Sequence, residues 1–251
     1  MSALTKMMKP DRKQLGTLWA GTSGSGKTTA ILSTLREAIL SPSFGEKHRF
    51  VIIDPKIQGG DYDRLADPET DLGKFIDGIR TERVSLYWPS YEKFDERILE
   101  MDISDTIDEL FRLADSDLKA TFTFVLDEAS IVISPHSLSP SLKRLSVQGR
   151  AKRILPVFVS QRPLTNRWLD ANLSNLILFR INTVDADNLT KRWGVDFVQN
   201  DEKIRGKPYS FARFSLETNG MTYYNPVPYP TPKIVRKKKS AFEKLKSQFG
   251  F

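Results

Sequence analysis

Residues 21 to 28 read Gly-Thr-Ser-Gly-Ser-Gly-Lys-Thr, the complete G-x-x-x-x-G-K-[ST] phosphate-binding loop. Such a loop works between a strand and a helix, and the flanking sequence supplies both. Leu15-Gly16-Thr17-Leu18-Trp19-Ala20 is a short apolar run of strand length, and Thr28 to Leu40 carries Ala30, Ile31, Leu35, Ala38 and Ile39 at helical spacing. The glycines let the backbone wrap an anion with its N–H groups, and the helix N-terminus adds a favourable dipole. Lys27 would reach the β- and γ-phosphates of a nucleoside triphosphate, and the Thr28 hydroxyl would ligate Mg²⁺. The expected ligands are therefore a nucleoside triphosphate and Mg²⁺. The predicted nucleotide-binding set is Gly21, Thr22, Ser23, Gly24, Ser25, Gly26, Lys27, Thr28 and Thr29.

Beyond the loop, apolar runs alternate with helical patterns, which predicts an α/β chain with a mostly parallel central sheet flanked by helices. The candidate strands are Leu15–Ala20, Phe50–Asp54, Val84–Trp88, Phe122–Asp127, Pro156–Ser160 and Asn175–Ile181. Several are continuous Val, Ile, Leu and Phe runs, as expected of strands covered on both faces. Ile103, Ile107, Leu110, Phe111 and Ala114 form one helical stripe. Weaker patterns predict helices over Leu138–Arg150 and Asp185–Trp193. Tyr209–Glu217 and Met221–Tyr224 flank Thr218-Asn219-Gly220, where Asn-Gly signals a C-terminal β-hairpin. Pro226, Pro228, Pro230 and Pro232 then recur at every second residue, the pattern of a stiff extended linker.

At 251 residues one domain with small additions is the simplest partition. We expect a basic N-terminal arm over 1–13, an ATPase domain over 14–225, the linker over 226–232 and a basic tail over 233–251. The chain has no cysteine, which excludes disulfides, thiolate zinc sites and cysteine nucleophiles. Its two histidines, His48 and His136, read as ordinary surface or loop residues. Residues 230 to 251 hold seven Lys and Arg against Glu243 alone, so 7 − 1 = +6 of the chain's net +7 lies there. Such a tail, with Phe242, Leu245 and Phe249 at helical spacing, suits nucleic-acid phosphates, an anionic membrane or an acidic partner. No apolar run of about 18 residues predicts a membrane span, and the polar start from Met1 to Lys13 does not read as a signal peptide.

The strand Phe122-Thr123-Phe124-Val125-Leu126 runs into Asp127-Glu128. In phosphate-loop folds the first carboxylate holds the Mg²⁺ hydration shell, and the second orients and deprotonates the attacking water. Thr28 and Asp127 are thus the expected metal-side residues, and Glu128 the expected base. The next strand ends in Ser160-Gln161-Arg162-Pro163, where the Gln161 amide can sense the γ-phosphate or the water. Between them, Gln148-Gly149-Arg150-Ala151-Lys152-Arg153 is a basic stretch whose arginines suit developing phosphoryl charge.

In this series the chain resembles the FtsK–HerA superfamily of ring-forming DNA-pumping ATPases. The resemblance runs over most of residues 14 to 181. It rests on Ala20–Thr28, on Arg49-Phe50-Val51-Ile52-Ile53-Asp54-Pro55-Lys56, on Asp127-Glu128 and on Ser160-Gln161-Arg162-Pro163, in the family's order. The resemblance implies a RecA-like fold. It also implies an arginine eleven residues before the glutamine that acts on the neighbouring subunit's ATP, here Arg150. Where the family has a glycine before that strand this chain has Arg153, so a different local turn is expected and Arg153 is a second finger candidate.

Within the superfamily the chain looks most like the genome-packaging ATPases of internal-membrane icosahedral viruses. The implied function is an ATP-driven ring, expected to be a hexamer, that moves double-stranded DNA into a preformed capsid. Lys27, Glu128, Gln161 and Arg150 would carry the chemistry, and Lys143 and Arg144 are candidates for gripping DNA. The tail could dock on capsid vertex proteins or a viral membrane, and the expected location is host cytoplasm or virion. The rival readings are a cellular DNA translocase or helicase, a filamentous-phage assembly motor, and a nucleotide-dependent membrane or capsid adaptor.

Overall fold

The structure is a computed structural model that describes residues 1–11, 14–56, 60–90, 95–163 and 166–230. Its strands are β1 (Thr17–Ala20), β2 (His48–Ile53), β3 (Pro68–Glu69), β4 (Val84–Tyr87), β5 (Thr121–Leu126), β6 (Ile154–Ser160), β7 (Asn175–Leu178), β8 (Phe211–Ser215) and β9 (Gly220–Tyr224). They form one sheet in the order β3-β4-β2-β5-β6-β1-β7-β8-β9, parallel as far as β7 and antiparallel over β8 and β9. The predicted α/β, mostly parallel architecture is therefore the observed one. The helices are α1 (Ala3–Lys6), α2 (Lys27–Leu40), α3 (Leu72–Thr81), α4 (Glu96–Ser116), α5 (Pro140–Gln148), α6 (Arg167–Asp170), α7 (Thr183–Trp193) and α8 (Phe197–Arg205).

Alternation along each strand divides the core in two. Leu18, Val51, Ile53, Phe122, Phe124, Leu126 and Phe158 point to the face covered by α3, α4, α5 and α7. Trp19, Phe50, Ile52, Val125, Val157, Val159 and Ile177 point to the other face, against α1 and α2. With both faces buried, the strands lose polar alternation and read as continuous apolar runs. On the first face, α4 lays Leu99, Ile103, Ile107, Leu110, Phe111 and Ala114 on the sheet. Its large apolar members each contribute about 1.5–3 kcal/mol by leaving water. The Asp95 carboxylate accepts from the Arg97 amide and starts that helix.

Register fixes where the chemistry sits. Ala20 pairs with Ser160, Ile53 with Leu126, and Leu126 with Phe158, so these strands end along one edge of the sheet. The β6 strand lies between β1 and β5, so residues after Ala20, Leu126 and Ser160 emerge side by side. Open α/β sheets bind ligands at this carboxyl edge.

His48 departs from the sequence reading, and two further segments make contacts that the sequence left open. His48 is not a surface residue: it is 1% exposed in β2, bonded through its ring nitrogens to Thr121 and Thr123 and packed between Phe44 and Phe50. Within the arm expected over 1–13, Leu4, Met7 and Met8 are buried beside α2, and Ser2 and Thr5 bond to Glu37. The described start of the proline segment lies against the body, since Ser33 donates to the Pro228 carbonyl and Tyr229 to Asp61. The tail expected over 233–251 lies outside the described residues.

Candidate active site

The loop between β1 and α2 takes a form its glycines permit. Gly24 and Gly26 have φ of 70° and 89°, a left-handed region costly to residues with a Cβ. Gly26 occupies the N-cap of α2 without a side-chain cap, which leaves the helix amides to the loop's ligand. The entry of the loop is tied to the chain on either side of β1. The Gly21 amide donates to the Ser160 carbonyl at 3.2 Å, and the Thr22 amide donates to the Arg180 carbonyl at 2.8 Å. Lys27 is only 7% exposed, and burial lowers its pKa although Asp127 and Glu128 pull it upward.

Asp127 and Glu128 follow β5 directly. Asp127 is 1% exposed and accepts from the Glu128 amide at 2.8 Å. Glu128 has φ 45°, a conformation that costs a residue with a Cβ and that concentrates at functional sites. From the end of β6, the Gln161 amide donates to Glu128 Oε1 at 3.3 Å. The fold thus brings the predicted base and the predicted sensor into contact from neighbouring strands. Their separation in sequence gave no hint of that contact.

A second layer was missed as chemistry, although its residues were part of the motif series. Lys56, just beyond β2, sets its Nζ 2.7 Å from Asp127 Oδ2 and 3.9 Å from Glu128 Oε1. Burial alone would lower the Lys56 pKa, but Asp127, Asp54 and Glu128 together raise it. Asp54 is fully buried at the end of β2, and burial followed by the Asp127 charge pushes its pKa up to about 7. Its Oδ1 accepts from the Lys56 amide at 3.3 Å, while Oδ2 has no hydrogen-bond partner among the described residues. Burial and the charges of Asp127 and Asp54 likewise raise the Tyr62 phenol well above its ordinary value. Only the pairing of β2 with β5 makes these residues neighbours.

Among the described residues no group of three or more His, Asp or Glu forms a metal cage. The donor types expected here, the Thr28 hydroxyl at the start of α2 and the buried carboxylate of Asp127 after β5, instead suit an ion that keeps waters and takes phosphate oxygens. Mg²⁺ binds in that way.

The two arginines before β6 separate clearly. Arg153 has φ 58°, the backbone a glycine adopts readily, so the turn keeps a glycine-like form despite the substitution. Its guanidinium donates to the carbonyls of Ala114, Ala120 and Asp117, which anchors it at the amino end of the sheet. Those bonds occupy the Arg153 guanidinium within its own chain. Arg150 is exposed three residues earlier, at the end of the sheet opposite the phosphate loop, and its side chain has no partner among the described residues. It therefore does not meet its own chain's loop. Lys143 and Arg144 are both engaged, Lys143 over the Trp168 ring at 3.7 Å and Arg144 with Asp108 at 2.8 Å.

No family profile matches the sequence, and no curated protein matches it. Solved structures do match in fold. The genome-packaging NTPase B204 of Sulfolobus turreted icosahedral virus 2, in complex with AMPPCP, superposes with a TM-score of 0.63 at 14% identity, covering 87% of this chain and 100% of that one. The DNA-packaging ATPase B204 of Sulfolobus turreted icosahedral virus gives 0.62 at 15% identity, covering 85% and 98%. The chain shares their fold. The cytoplasmic domain of the Type VII secretion ATPase EccC of Thermomonospora curvata matches 96% of this chain with a TM-score of 0.55 at 19% identity, over 28% of its own length. These likenesses are consistent with the superfamily resemblance carried by the motifs. Among the described residues no helix is long and apolar enough to cross a membrane.

Proposed function

We propose that the chain is a ring-forming ATPase that moves double-stranded DNA, packaging a viral genome into a preformed capsid. The observation that carries the reading is the Glu128–Gln161 contact at the carboxyl edge, beside the phosphate loop and the buried Asp127. It supports a hydrolase, because a base aligned by an amide suits a water nucleophile better than a bulky acceptor. The fold shared with two viral packaging ATPases supports the DNA cargo.

In this reading the loop amides and Lys27 hold the triphosphate, and Lys27 meets charge developing on the β–γ bridge. Glu128 takes a proton from the attacking water while the Gln161 amide fixes the carboxylate's direction. Mg²⁺, held by Thr28 and through water by Asp127, would supply charge neutralisation at the phosphates. Arg150, remote from its own loop, would reach the neighbouring subunit's nucleotide, so hydrolysis requires assembly. A ring of such subunits couples each hydrolysis to motion across an interface. Cargo contacts would be to the DNA backbone, by charge and without reading sequence.

The rival reading, a motor or adaptor whose cargo is protein, draws on the secretion-ATPase likeness. ATPase rate with and without double-stranded DNA, alongside native mass, discriminates the two. The packaging reading expects an oligomer whose turnover rises with DNA. A full-rate monomer would overturn the ring, and turnover indifferent to DNA would favour the rival.

A further inference from the structure

Tyr209 stands against the phosphate loop and nothing in the catalytic set uses it. A Cβ placed on Gly26 would lie 3.1 Å from both Cβ and Cδ1 of Tyr209, so the phenol ring flanks the last loop glycine before Lys27. Yet the side chain is not core: Tyr209 is 61% exposed. Its backbone is also held where a tyrosine rarely sits, at φ 61°. Left-handed backbone at a residue with a Cβ persists only when the surroundings over-determine it, and such outliers cluster at ligand clamps.

Here the surroundings do so. Ser210 is buried, and its hydroxyl lies within donating reach of the carbonyls of Lys207 at 2.7 Å and Ile204 at 3.0 Å, while its amide donates to the Lys207 carbonyl. These bonds lock the short turn between α8 and β8 that carries Pro208 and Tyr209. The turn holds an aromatic face beside a loop built for phosphates, and leaves most of that face open to solvent.

We propose that Tyr209 is the base-stacking residue of the nucleotide site, covering the nucleobase of the triphosphate held by Gly21–Thr28. The inference rests on the ATPase reading and adds to it a residue for the base. Phosphate binding by backbone amides is blind to the base, and a flat exposed ring next to the loop offers what the amides lack. Stacking on one ring tolerates any base, so ATP and GTP should depend on Tyr209 alike.

The test compares ATP with inorganic tripolyphosphate, which has the phosphates and no base, by calorimetry on the full chain. Tyr209→Ala should weaken ATP by about 10- to 100-fold and leave tripolyphosphate within about twofold. Tyr209→Phe should keep wild-type ATP affinity, because the π-face remains. Tyr209→Trp should show indole fluorescence that ATP quenches and tripolyphosphate does not. Equal weakening of both ligands would make Tyr209 a support for the loop and overturn the proposal. Unchanged ATP affinity would overturn it too. A wild-type chain that bound neither probe would defeat the ATPase reading along with this one, whereas binding of both with no difference at Tyr209 defeats this one alone.

Discussion

Lys56 Nζ lies 2.7 Å from Asp127 Oδ2, joining the end of β2 to the end of β5 at the point where the triphosphate's metal would be expected. Asp127 is buried, and a buried carboxylate beside Asp54 and Glu128 needs a cation. Lys56 supplies that charge from a side chain about one-third exposed, so it can withdraw toward solvent or phosphate without losing its own hydration.

Removing Lys56 should therefore destabilise the chain while a ligand cation can compensate. Breaking a fully buried pair costs roughly 3–5 kcal/mol, and partial exposure of Lys56 puts the expected loss for Lys56→Met at about 1–3 kcal/mol. Urea unfolding in EDTA should reveal it, and Mg²⁺ with ATP should restore more stability to the variant than it adds to the wild type. Equal gains in both proteins would mean that Lys56 and the metal do not share the Asp127 charge.

Glu128→Gln keeps the size of the side chain and removes the base. Nucleotide affinity should stay near wild type, and turnover should fall by about 10²- to 10⁴-fold. Lys27→Ala should instead weaken ATP binding itself, since Lys27 is the only cation within the loop. Binding measured by calorimetry beside steady-state hydrolysis separates the two. Wild-type turnover in Glu128→Gln would remove it from the role of base.

Arg150 and Arg153 should part company in the same assays. An arginine finger contributes about 10³- to 10⁵-fold in other NTPases, so Arg150→Ala should bind ATP normally and hydrolyse it at least ~100-fold more slowly. Co-assembly with Lys27→Ala should restore part of the rate, because a mixed ring can join an intact loop to an intact neighbouring arginine. Arg153→Gly should keep turnover, since glycine accepts the φ of 58°, and lose stability through the carbonyl bonds of the guanidinium. Mixed rings that stay inactive although subunits exchange would argue against action in trans.

The phosphate loop, the acid pair, six strands of the parallel part and the two-stranded C-terminal hairpin were legible because each is a local pattern: a spaced motif, an apolar run, or a turn signal between two runs. What escaped was non-local or diluted. Gly73 and Gly78 interrupt the Phe75 and Ile79 pattern of α3, and α8 buries only Phe197, Asp201 and Ile204 over nine residues. Lys56 and Asp54 were visible as a motif, but their approach to Asp127 depends on β2 lying beside β5. Tyr209 read as the start of a hairpin strand, and its position over Gly26 follows from a turn fixed by Ser210. Arg153 could be separated from Arg150 only by the carbonyls around it.

His48 and Asp54 set opposing pH dependences of stability. Burial, with Arg83 and Lys9 adding to it, lowers the His48 pKa from 6.5 to about 3. The folded chain thus refuses a proton that the unfolded chain accepts, and stability is lost as pH falls from about 6.5 toward 3. Asp54 runs the other way, because its pKa rises from 3.8 to about 7 and the folded chain binds the extra proton. That contribution is full below about 3.8 and is lost as pH rises through 7. Each has a limiting slope of about 1.4 kcal/mol per pH unit, so between about 3.8 and 6.5 the two nearly cancel. Single substitutions should expose the hidden slopes in urea melts without added metal. His48→Asn should gain stability relative to wild type as pH drops below 6.5, whatever its offset at neutral pH. Asp54→Asn should gain relative to wild type as pH rises from 3.8, and level off above 7. Curves that run parallel to wild type across this range would show that neither group is held out of its ordinary protonation in the folded chain.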